Sequence, residues 1–256
     1  MKYLPLLFLV FSLAITMPAI GLDANYWLTQ TASDYGNGSY SLALQDIDEY
    51  LNMNSSDVWA WNFKANLLIK MKRYLEAVDS FDRIIQIDSS NAQAYNDRAL
   101  ILSGALNQDE DALDSLDKAL QINPDNANAW YNKGIILEKL EMYNESLETY
   151  GKAATLDSSL DLVWYRQGRI LAKIGSYNAS LVSLDKAIEL SPKNAEAWNV
   201  KGQVLMELNK QVDALDCFVK ATVLDPSNED FLNNKNKALT SLGREPEKKM
   251  VFPVTK

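Results

Sequence analysis

The sequence has 256 residues, yet it contains no histidine and a single cysteine, Cys217. The absence of imidazole excludes Ser-His-Asp and Cys-His nucleophiles, histidine general bases and His-ligated metal centres. One cysteine cannot form an intramolecular disulfide or a thiolate cluster, and Cys217 beside Phe218 is interpreted as a small buried apolar residue. We therefore expect a non-catalytic chain that needs no metal and no cofactor.

Basic residues are also scarce, with 25 Lys and Arg against 34 Asp and Glu and a formal net charge of -9. A protein without a positive excess cannot neutralise a phosphate backbone, so we expect no nucleic-acid partner. The sequence has neither a Gly-x-Gly-x-x-Gly nor a Gly-x-x-x-x-Gly-Lys phosphate loop. Residues 34–45 resemble a calcium loop only superficially, because Ser39 and Gln45 stand where glycine and a bidentate glutamate belong.

A long apolar run stands at the start of the chain, where residues 3–20 follow Lys2 and precede Gly21. A basic start, a hydrophobic segment and a small-residue exit are typical of a signal peptide, so we predict that residues 1–21 are removed. The alternative is an uncleaved anchor over residues 3–22, which have the ~20-residue length of a bilayer-spanning helix. Both hypotheses place the remaining chain outside the cytoplasm, secreted or in the cell envelope, and confine membrane contact to this segment.

Aromatic residues recur along the rest of the chain with a period of 34 or 35 residues. These ladder aromatics are Trp27, Trp61, Tyr95, Trp130, Trp164 and Trp198. A small residue follows each of them four positions later: Thr31, Ala65, Ala99, Gly134, Gly168 and Gly202. A second small residue comes 16 or 17 positions after the aromatic: Ala43, Ala77, Ala112, Ser146, Ser180 and Ala214. Apolar residues at helical spacing accompany both, so each period predicts two helices that pack closely at the small positions.

The same period governs the residues that begin and end the second predicted helix. Its first residue is a tyrosine in four periods: Tyr40, Tyr74, Tyr143 and Tyr177. Prolines end it at Asn123-Pro124, Ser191-Pro192 and Asp225-Pro226. This combination of positions resembles the tetratricopeptide repeat and covers residues 24–228. The resemblance implies an all-α, right-handed superhelical solenoid of about six antiparallel helical hairpins, since one hairpin cannot bury its apolar face alone.

The repeat frame divides the chain into segments. The solenoid at residues 22–228 holds six repeats, at 24–57, 58–91, 92–126, 127–160, 161–194 and 195–228. Residues 229–243 are predicted to form a polar capping helix, and residues 244–256 a flexible tail. The third repeat carries one extra residue, and Asp109, Glu110 and Asp111 beside it are predicted to form a small acidic loop.

Several residues depart from the family pattern. Asp34 in the first repeat stands where the family prefers a large apolar residue. Four cations occupy a position that the family often gives to leucine, and we interpret their aliphatic stems as a cover over the core. They are Lys64, Arg98, Lys133 and Lys201.

The first helices of tetratricopeptide repeats line a concave groove, so the resemblance implies a partner-binding surface there. The assigned positions lie one and five residues after the ladder aromatics, with the off-ladder Trp59 at the rim. They are Trp59, Asn62, Asn66, Asn96, Tyr131, Tyr165, Arg169, Asn199 and Gln203. Amides can bond an extended backbone, tyrosines offer rigid contact area, and Arg169, in a local basic patch with Arg166 and Lys173, can pair with a carboxylate. The alternative for the asparagines is plain solvated surface.

Four Asn-x-Ser sequons are candidate glycosylation sites, and all fall in or beside turns of the repeat frame. They are Asn37, Asn54, Asn144 and Asn178. Asn144 and Asn178 share one repeat position that asparagine also fills for turn chemistry alone. Glycosylation therefore depends on a secretory compartment that performs it.

These patterns predict a non-catalytic protein-protein interaction module that binds a protein or peptide segment in the groove. One alternative is a membrane-tethered assembly scaffold of the cell envelope, if residues 1–21 are retained. Another is a glycan-binding or hydrolytic protein that uses groove carboxylates and aromatics, which the absence of histidine and reactive cysteine disfavours. The pattern fixes neither the partner nor the oligomeric state.

Overall fold

The computed structural model describes residues 23–246, which form thirteen α-helices and no β-strand. The predicted all-α fold of helical hairpins is confirmed. The predicted signal peptide or anchor at residues 1–21 and most of the predicted tail lie outside the described residues. The described helices separate into two compact units, residues 23–73 and residues 74–246.

The first unit contains three helices. α1 (Ala24–Gly36) and α2 (Tyr40–Met53) form an antiparallel hairpin, and α3 (Val58–Lys70) packs against α2. Its interior includes the predicted small residues Thr31 and Ala43, both buried.

The second unit continues the alternation of first and second helices. Its helices are α4 (Tyr74–Ile87), α5 (Ala92–Gly104), α6 (Asp109–Ile122), α7 (Ala127–Lys139), α8 (Tyr143–Leu156), α9 (Asp161–Lys173), α10 (Tyr177–Leu190), α11 (Ala195–Glu207), α12 (Gln211–Leu224) and α13 (Glu229–Ser241). The helices α5 to α12 pair as four hairpins, α4 packs on α5, and α13 packs on α12. The first helices of both units begin at the residues that open the predicted repeats.

Side chains at the N-caps set where the first helices begin. An Asp or Asn oxygen accepts the N–H of the residue three positions further on, a donor that the helix itself leaves unpaired. These capping residues are Asp23, Asp57, Asn91, Asn126, Asn194 and Asn228. In α9 the N-cap is Leu160, whose side chain makes no such bond.

Ladder tryptophans fix the turn before four of the first helices, α3, α7, α9 and α11. The indole N–H donates to the backbone carbonyl six residues earlier, over 2.8–3.1 Å, in Trp61, Trp130, Trp164 and Trp198. Each of these tryptophans therefore contributes a hydrogen bond to the turn as well as apolar contact area.

The small residues allow the two helices of a hairpin to approach closely, as the sequence predicted. A Cβ placed on Gly168 would lie 2.6 Å from Cγ of Leu184 and 3.3 Å from its backbone nitrogen. A Cβ on Gly202 would lie 2.6 Å from Cε1 of Phe218. The small residue of the second helix completes the contact, because Ser180 Oγ donates to the Gly168 carbonyl at 2.6 Å.

A recurring ion pair joins consecutive repeats. A cation three residues after the ladder aromatic meets an aspartate sixteen residues earlier, on the preceding second helix. The pairs are Lys64–Asp48 at 2.6 Å, Arg98–Asp82 at 2.7 Å, Lys133–Asp117, and Lys201–Asp185 at 2.5 Å. The interpretation of these cations as aliphatic stems was therefore incomplete, because their charged ends are paired. Between the fourth and fifth repeats the two positions hold the uncharged residues Gly151 and Gln167.

The predicted acidic loop at Asp109, Glu110 and Asp111 is wrong, because these residues form the first turn of α6. Asp109 is buried, accepts from Ser103 Oγ at 2.6 Å and pairs with Lys139 at 2.9 Å. Burial disfavours the charge of Asp109, but the bonds from Ser103 and Lys139 outweigh it and lower its pKa. An acidic first turn also complements the positive end of the helix dipole.

Cys217 lies on α12 and is buried, which confirms its predicted apolar role. Burial raises the pKa of its thiol to about 11. The residue therefore stays protonated and unreactive near neutral pH.

An acidic pair lies inside the hairpin of α1 and α2. Asp34 stands at the position where later repeats place a buried leucine such as Leu68, Leu137 or Leu205. Among the described residues, Oδ2 of Asp46 is buried without a hydrogen-bond partner. Burial and the neighbouring Asp34 carboxyl group raise the pKa of Asp46 to about 6.

Asp46→Asn is expected to change how stability depends on pH. Because the pKa is higher in the folded protein, binding of this proton stabilises the fold. The stabilisation is fully present below about pH 4 and is lost as pH rises through about 6. At pH 7 the variant should be more stable than wild type by about 1–2 kcal/mol. Urea unfolding at pH 4 and pH 7 measures both effects, and a variant that keeps the wild-type pH dependence would contradict the assignment.

Gly168→Ala should destabilise the protein by about 1–2 kcal/mol, since overpacking against Leu184 exceeds the gain in helix propensity. Gly151→Ala is the matched control, because its Cβ would meet only Gln167 Nε2 at 4.0 Å. The control should gain about 0.5–1 kcal/mol from propensity alone. Equal shifts in the urea midpoint of the two variants would disprove the close approach.

Candidate functional site

Side chains on the first helices of the second unit form a seam between successive repeats. Asn132 Nδ2 donates to Asn96 Oδ1 at 2.9 Å, and Asn234 Nδ2 donates to Asn199 Oδ1 at 2.9 Å. Asn96 and Asn199 are only 5% and 6% exposed. These two predicted groove amides therefore hold neighbouring repeats together and present little surface to a partner.

Arg166 and Tyr131 occupy the same seam between α9 and α7. Arg166 Nε donates to the Tyr131 hydroxyl at 3.2 Å, and the guanidinium lies 5.8 Å from the centre of the tyrosine ring. Burial disfavours the charge of Arg166, but contacts with Tyr131, Tyr150 and Glu138 outweigh it and raise the pKa. Arg166 therefore remains charged although most of its side chain is covered.

Glu138 on α7 binds both arginines of α9. Its Oε2 accepts from Arg166 Nη1 at 3.1 Å and from the Tyr150 hydroxyl at 3.0 Å, while Oε1 accepts from Arg169. Only 12% of the Glu138 side chain is exposed. Burial and the Glu138 charge raise the pKa of Tyr150, which keeps its hydroxyl a donor. We call Glu138, Arg166 and Arg169 the arginine-glutamate cluster.

The predicted basic patch is therefore partly neutralised by α7 and the turn after it. Glu138 serves two arginines, and Lys173 lies 3.7 Å from Glu141 and donates to the Tyr143 hydroxyl. Sequence reasoning missed Glu138, because in the sequence it is one of many acidic residues on a polar helix. Three cations against two carboxylates leave one positive charge in this region.

An open groove of about 810 Å³ lies between α11 and α13. Six amide side chains line it: Asn199, Gln203, Asn228, Asn233, Asn234 and Asn236. Gln203 and Asn233 are exposed, so their donors and acceptors are accessible to a ligand. α13, predicted from the sequence only as a capping helix, thus also contributes to this surface.

The other predicted groove residues of the second unit lie at different depths. Arg169 is exposed and its guanidinium lies 5.8 Å from the centre of the Tyr165 ring, which is half-buried. Leu100 is 44% exposed and Ile135 half-buried at the corresponding positions of α5 and α7. The groove surface is therefore apolar at Leu100 and Ile135, cationic at Arg169 and rich in amides beyond it.

Trp59, Asn62 and Asn66 belong to the first unit. Trp59 is 59% exposed and stacks on Phe63 with ring centres 5.6 Å apart. Asn66 Nδ2 donates to Asn62 Oδ1 at 2.7 Å. Trp59 thus offers exposed aromatic surface, and its place at the rim of a groove stays a prediction.

The four sequon asparagines lie at helix ends. Asn37 and Asn54 follow α1 and α2, while Asn144 and Asn178 are the second residues of α8 and α10. The hydroxyl-bearing residues of the latter two sequons are buried, since they are the small residues Ser146 and Ser180. Their glycosylation stays a prediction.

Within residues 23–246, no three acidic or cysteine side chains converge in an arrangement suited to a metal ion. No helix in that range has the length and apolar character needed to cross a bilayer.

Comparison with protein families identifies the repeats. Models of the tetratricopeptide repeat match residues 33–102 and 127–160, and a TPR repeat model matches residues 105–141 and 168–209. Together they cover more than half of the chain, which therefore belongs to the tetratricopeptide repeat family. A comparison with curated protein sequences finds no match.

Solved structures share the fold at low sequence identity. YrrB, described as a TPR protein with an unusual peptide-binding site, is 24% identical, with a TM-score of 0.62 over 74% of this chain and 97% of its own. PilW, a type IV pilus biogenesis factor, is 18% identical, with a TM-score of 0.67 over 82% and 97%. Pseudomonas aeruginosa pilF is 16% identical, with a TM-score of 0.68 over 84% and 97%.

Glu138→Gln should destabilise the protein by about 2–4 kcal/mol, because it leaves two half-covered guanidinium groups without a carboxylate. The matched control is Glu189→Gln, whose exposed ion pair with Lys186 contributes less than about 0.5 kcal/mol. Urea denaturation of both variants measures the difference. Similar stabilities would show that the cluster contributes nothing to folding.

Proposed function

We propose that this chain is an extracytoplasmic, non-catalytic scaffold that binds an extended segment of a partner protein along the first helices of its repeats. The observation that carries this proposal is the open groove between α11 and α13, with its exposed amides Gln203 and Asn233. An amide side chain can both donate to and accept from the main chain of an extended peptide. Main-chain bonds then supply affinity, and neighbouring side chains supply specificity.

The shape of the groove favours a peptide over a small molecule. Sites for small ligands enclose most of the ligand surface in a mostly apolar pocket. The groove here is open and mixed in polarity, and exposed or half-buried side chains continue along α9, α7 and α5 at Arg169, Ile135 and Leu100. A segment of several residues can contact all of these positions, whereas a small molecule reaches one.

The structural relatives support a role in protein binding. YrrB is described as having a peptide-binding site, and PilW as a pilus biogenesis factor, on the same kind of helical scaffold. The binding surface proposed here rests on this chain's own residues, since fold alone does not fix function.

The extracytoplasmic location rests on the sequence of residues 1–21, which has the form of a signal peptide. The membrane-tethered scaffold differs only in keeping this segment. The intact mass of the protein from its native source distinguishes the two.

Selection of peptides from a random display library on the full chain tests the groove. The double variant Gln203→Ala/Asn233→Ala removes two accessible amides and should weaken the selected peptides about tenfold or more, since each lost hydrogen bond costs about 1 kcal/mol. The control, Gln86→Ala/Gln121→Ala, removes two exposed amides from the second helices α4 and α6 and should bind like wild type. Equal binding by both double variants would refute the groove as the binding surface.

A further inference from the structure

We infer that the arginine-glutamate cluster is a subsite for an acidic side chain, Glu or Asp, within the bound partner segment. This inference rests on the proposed function, because it assigns one position of the segment that the groove would hold. Its basis is the charge and geometry of Glu138, Arg166 and Arg169, together with the residues on either side of them.

The cluster is electrostatically incomplete. One carboxylate, Glu138, receives both guanidinium groups and the hydroxyl of Tyr150, so its acceptors are shared among three donors. The neighbouring Lys173 is matched by Glu141 at 3.7 Å and adds no net charge. A second carboxylate would complete a square of two guanidinium groups and two carboxylates.

Arg169 is the member of the cluster that a partner can reach. Its side chain is 45% exposed, against 26% for Arg166 and 12% for Glu138. The bond to Glu138 fixes its guanidinium on one side, and the Tyr165 ring lies 5.8 Å from it on another. A guanidinium held in place before binding loses little side-chain entropy when it pairs with an incoming carboxylate.

The flanking surface indicates a side chain within a segment and not a chain end. Leu100 and Ile135 continue the groove surface on one side of Arg169, and Gln203 and Asn233 continue it on the other. A segment can therefore extend in both directions from the residue that meets Arg169.

The rest of the molecule makes this position selective. The chain has a formal charge of -9, and the groove between α11 and α13 carries two carboxylates, Glu196 and Asp230, against one ammonium group, Lys237, so its lining is net negative. An acidic side chain is repelled at those positions and attracted at Arg169, so the charge pattern would fix the register of the segment.

Three capped or partly capped pentapeptides test this inference on the full chain. The first has glutamate between two alanines on each side, with both ends blocked. The second replaces glutamate by glutamine, and the third is the glutamine peptide with a free C-terminal carboxylate. Titrations are followed by the Nε–Hε NMR signals of Arg166 and Arg169.

The glutamate peptide should shift both arginine signals saturably, with at least about tenfold higher affinity than either glutamine peptide. Arg169→Gln should reduce that affinity about tenfold, Arg169→Lys should reduce it less, and the control Arg83→Gln on α4 should leave it unchanged. Equal binding of the glutamate and the blocked glutamine peptides would overturn the inference. Strong binding of the free-carboxylate peptide would overturn the inference in another way, because it would show that the site binds the C-terminal carboxylate of a partner and not an acidic side chain within it.

The two proposals fail in different ways. If the library selection depends on Gln203 and Asn233 but the glutamate peptide does not shift Arg169, the groove binds peptides and the acidic subsite is wrong. If the glutamate peptide binds at Arg169 while the double amide variant loses nothing, the anion site stands and the extended groove is wrong.

Discussion

The close approach of the two helices in each hairpin is the contact on which both the fold and the candidate site depend. Gly134 has no side chain, and a Cβ there would overlap the ring of Tyr150, which is completely buried against it. That ring position carries the Tyr150 hydroxyl to Glu138, 3.0 Å away. A missing side chain on α7 thus determines how the carboxylate that holds both arginines is oriented, since the phenol is a fixed donor to it.

Stability and recognition use the same face of the first helices. Asn96 and Asn199 join consecutive repeats through amide bonds, whereas the adjacent Leu100 and Gln203, four residues on, are exposed. Residues four apart on a helix lie on the same face. One residue of each such pair joins two repeats, and the other is accessible to a partner. A substitution on this face can therefore change folding, binding or both, depending on which of the two residues it replaces.

The local features of the fold were predictable from the sequence, because their causes lie within one repeat. Helix starts follow from Asp and Asn caps, and close packing follows from the small residues at two fixed positions. The pairings across repeats were not predictable in the same way. Glu138 meets Arg166 and Arg169 across 28 and 31 residues, and Asn132 meets Asn96 across 36. Only the cation-aspartate pairs, with their constant sixteen-residue spacing in four places, left a signal that a search for periodic charges could have found.

Asp109 shows that a run of acidic residues in a sequence does not by itself predict an exposed loop. Three consecutive acidic residues near an insertion suggest a solvated loop, yet Ser103 and Lys139 supply partners for a buried carboxylate there. The partner Lys139 comes from the next repeat, thirty residues on. The extra residue of the third repeat is thus accommodated by its neighbour, in keeping with the nearest-neighbour energetics of repeat proteins.

The charged contacts between the fourth and fifth repeats are concentrated on the groove side. On the groove side Glu138 bonds Arg166 and Arg169, but at the position of the recurring ion pair Gln167 meets Gly151 without a charge. Beside Gly151, Trp130 and Pro124 line part of a cleft of about 510 Å³ that belongs to the third and fourth repeats. An apolar core closes the joint between these two edges, because Tyr150, Ala153 and Ala154 of α8 are buried in one cluster with Val163 and Ile170 of α9. Burial therefore holds the two repeats together even where the recurring charge pair is missing.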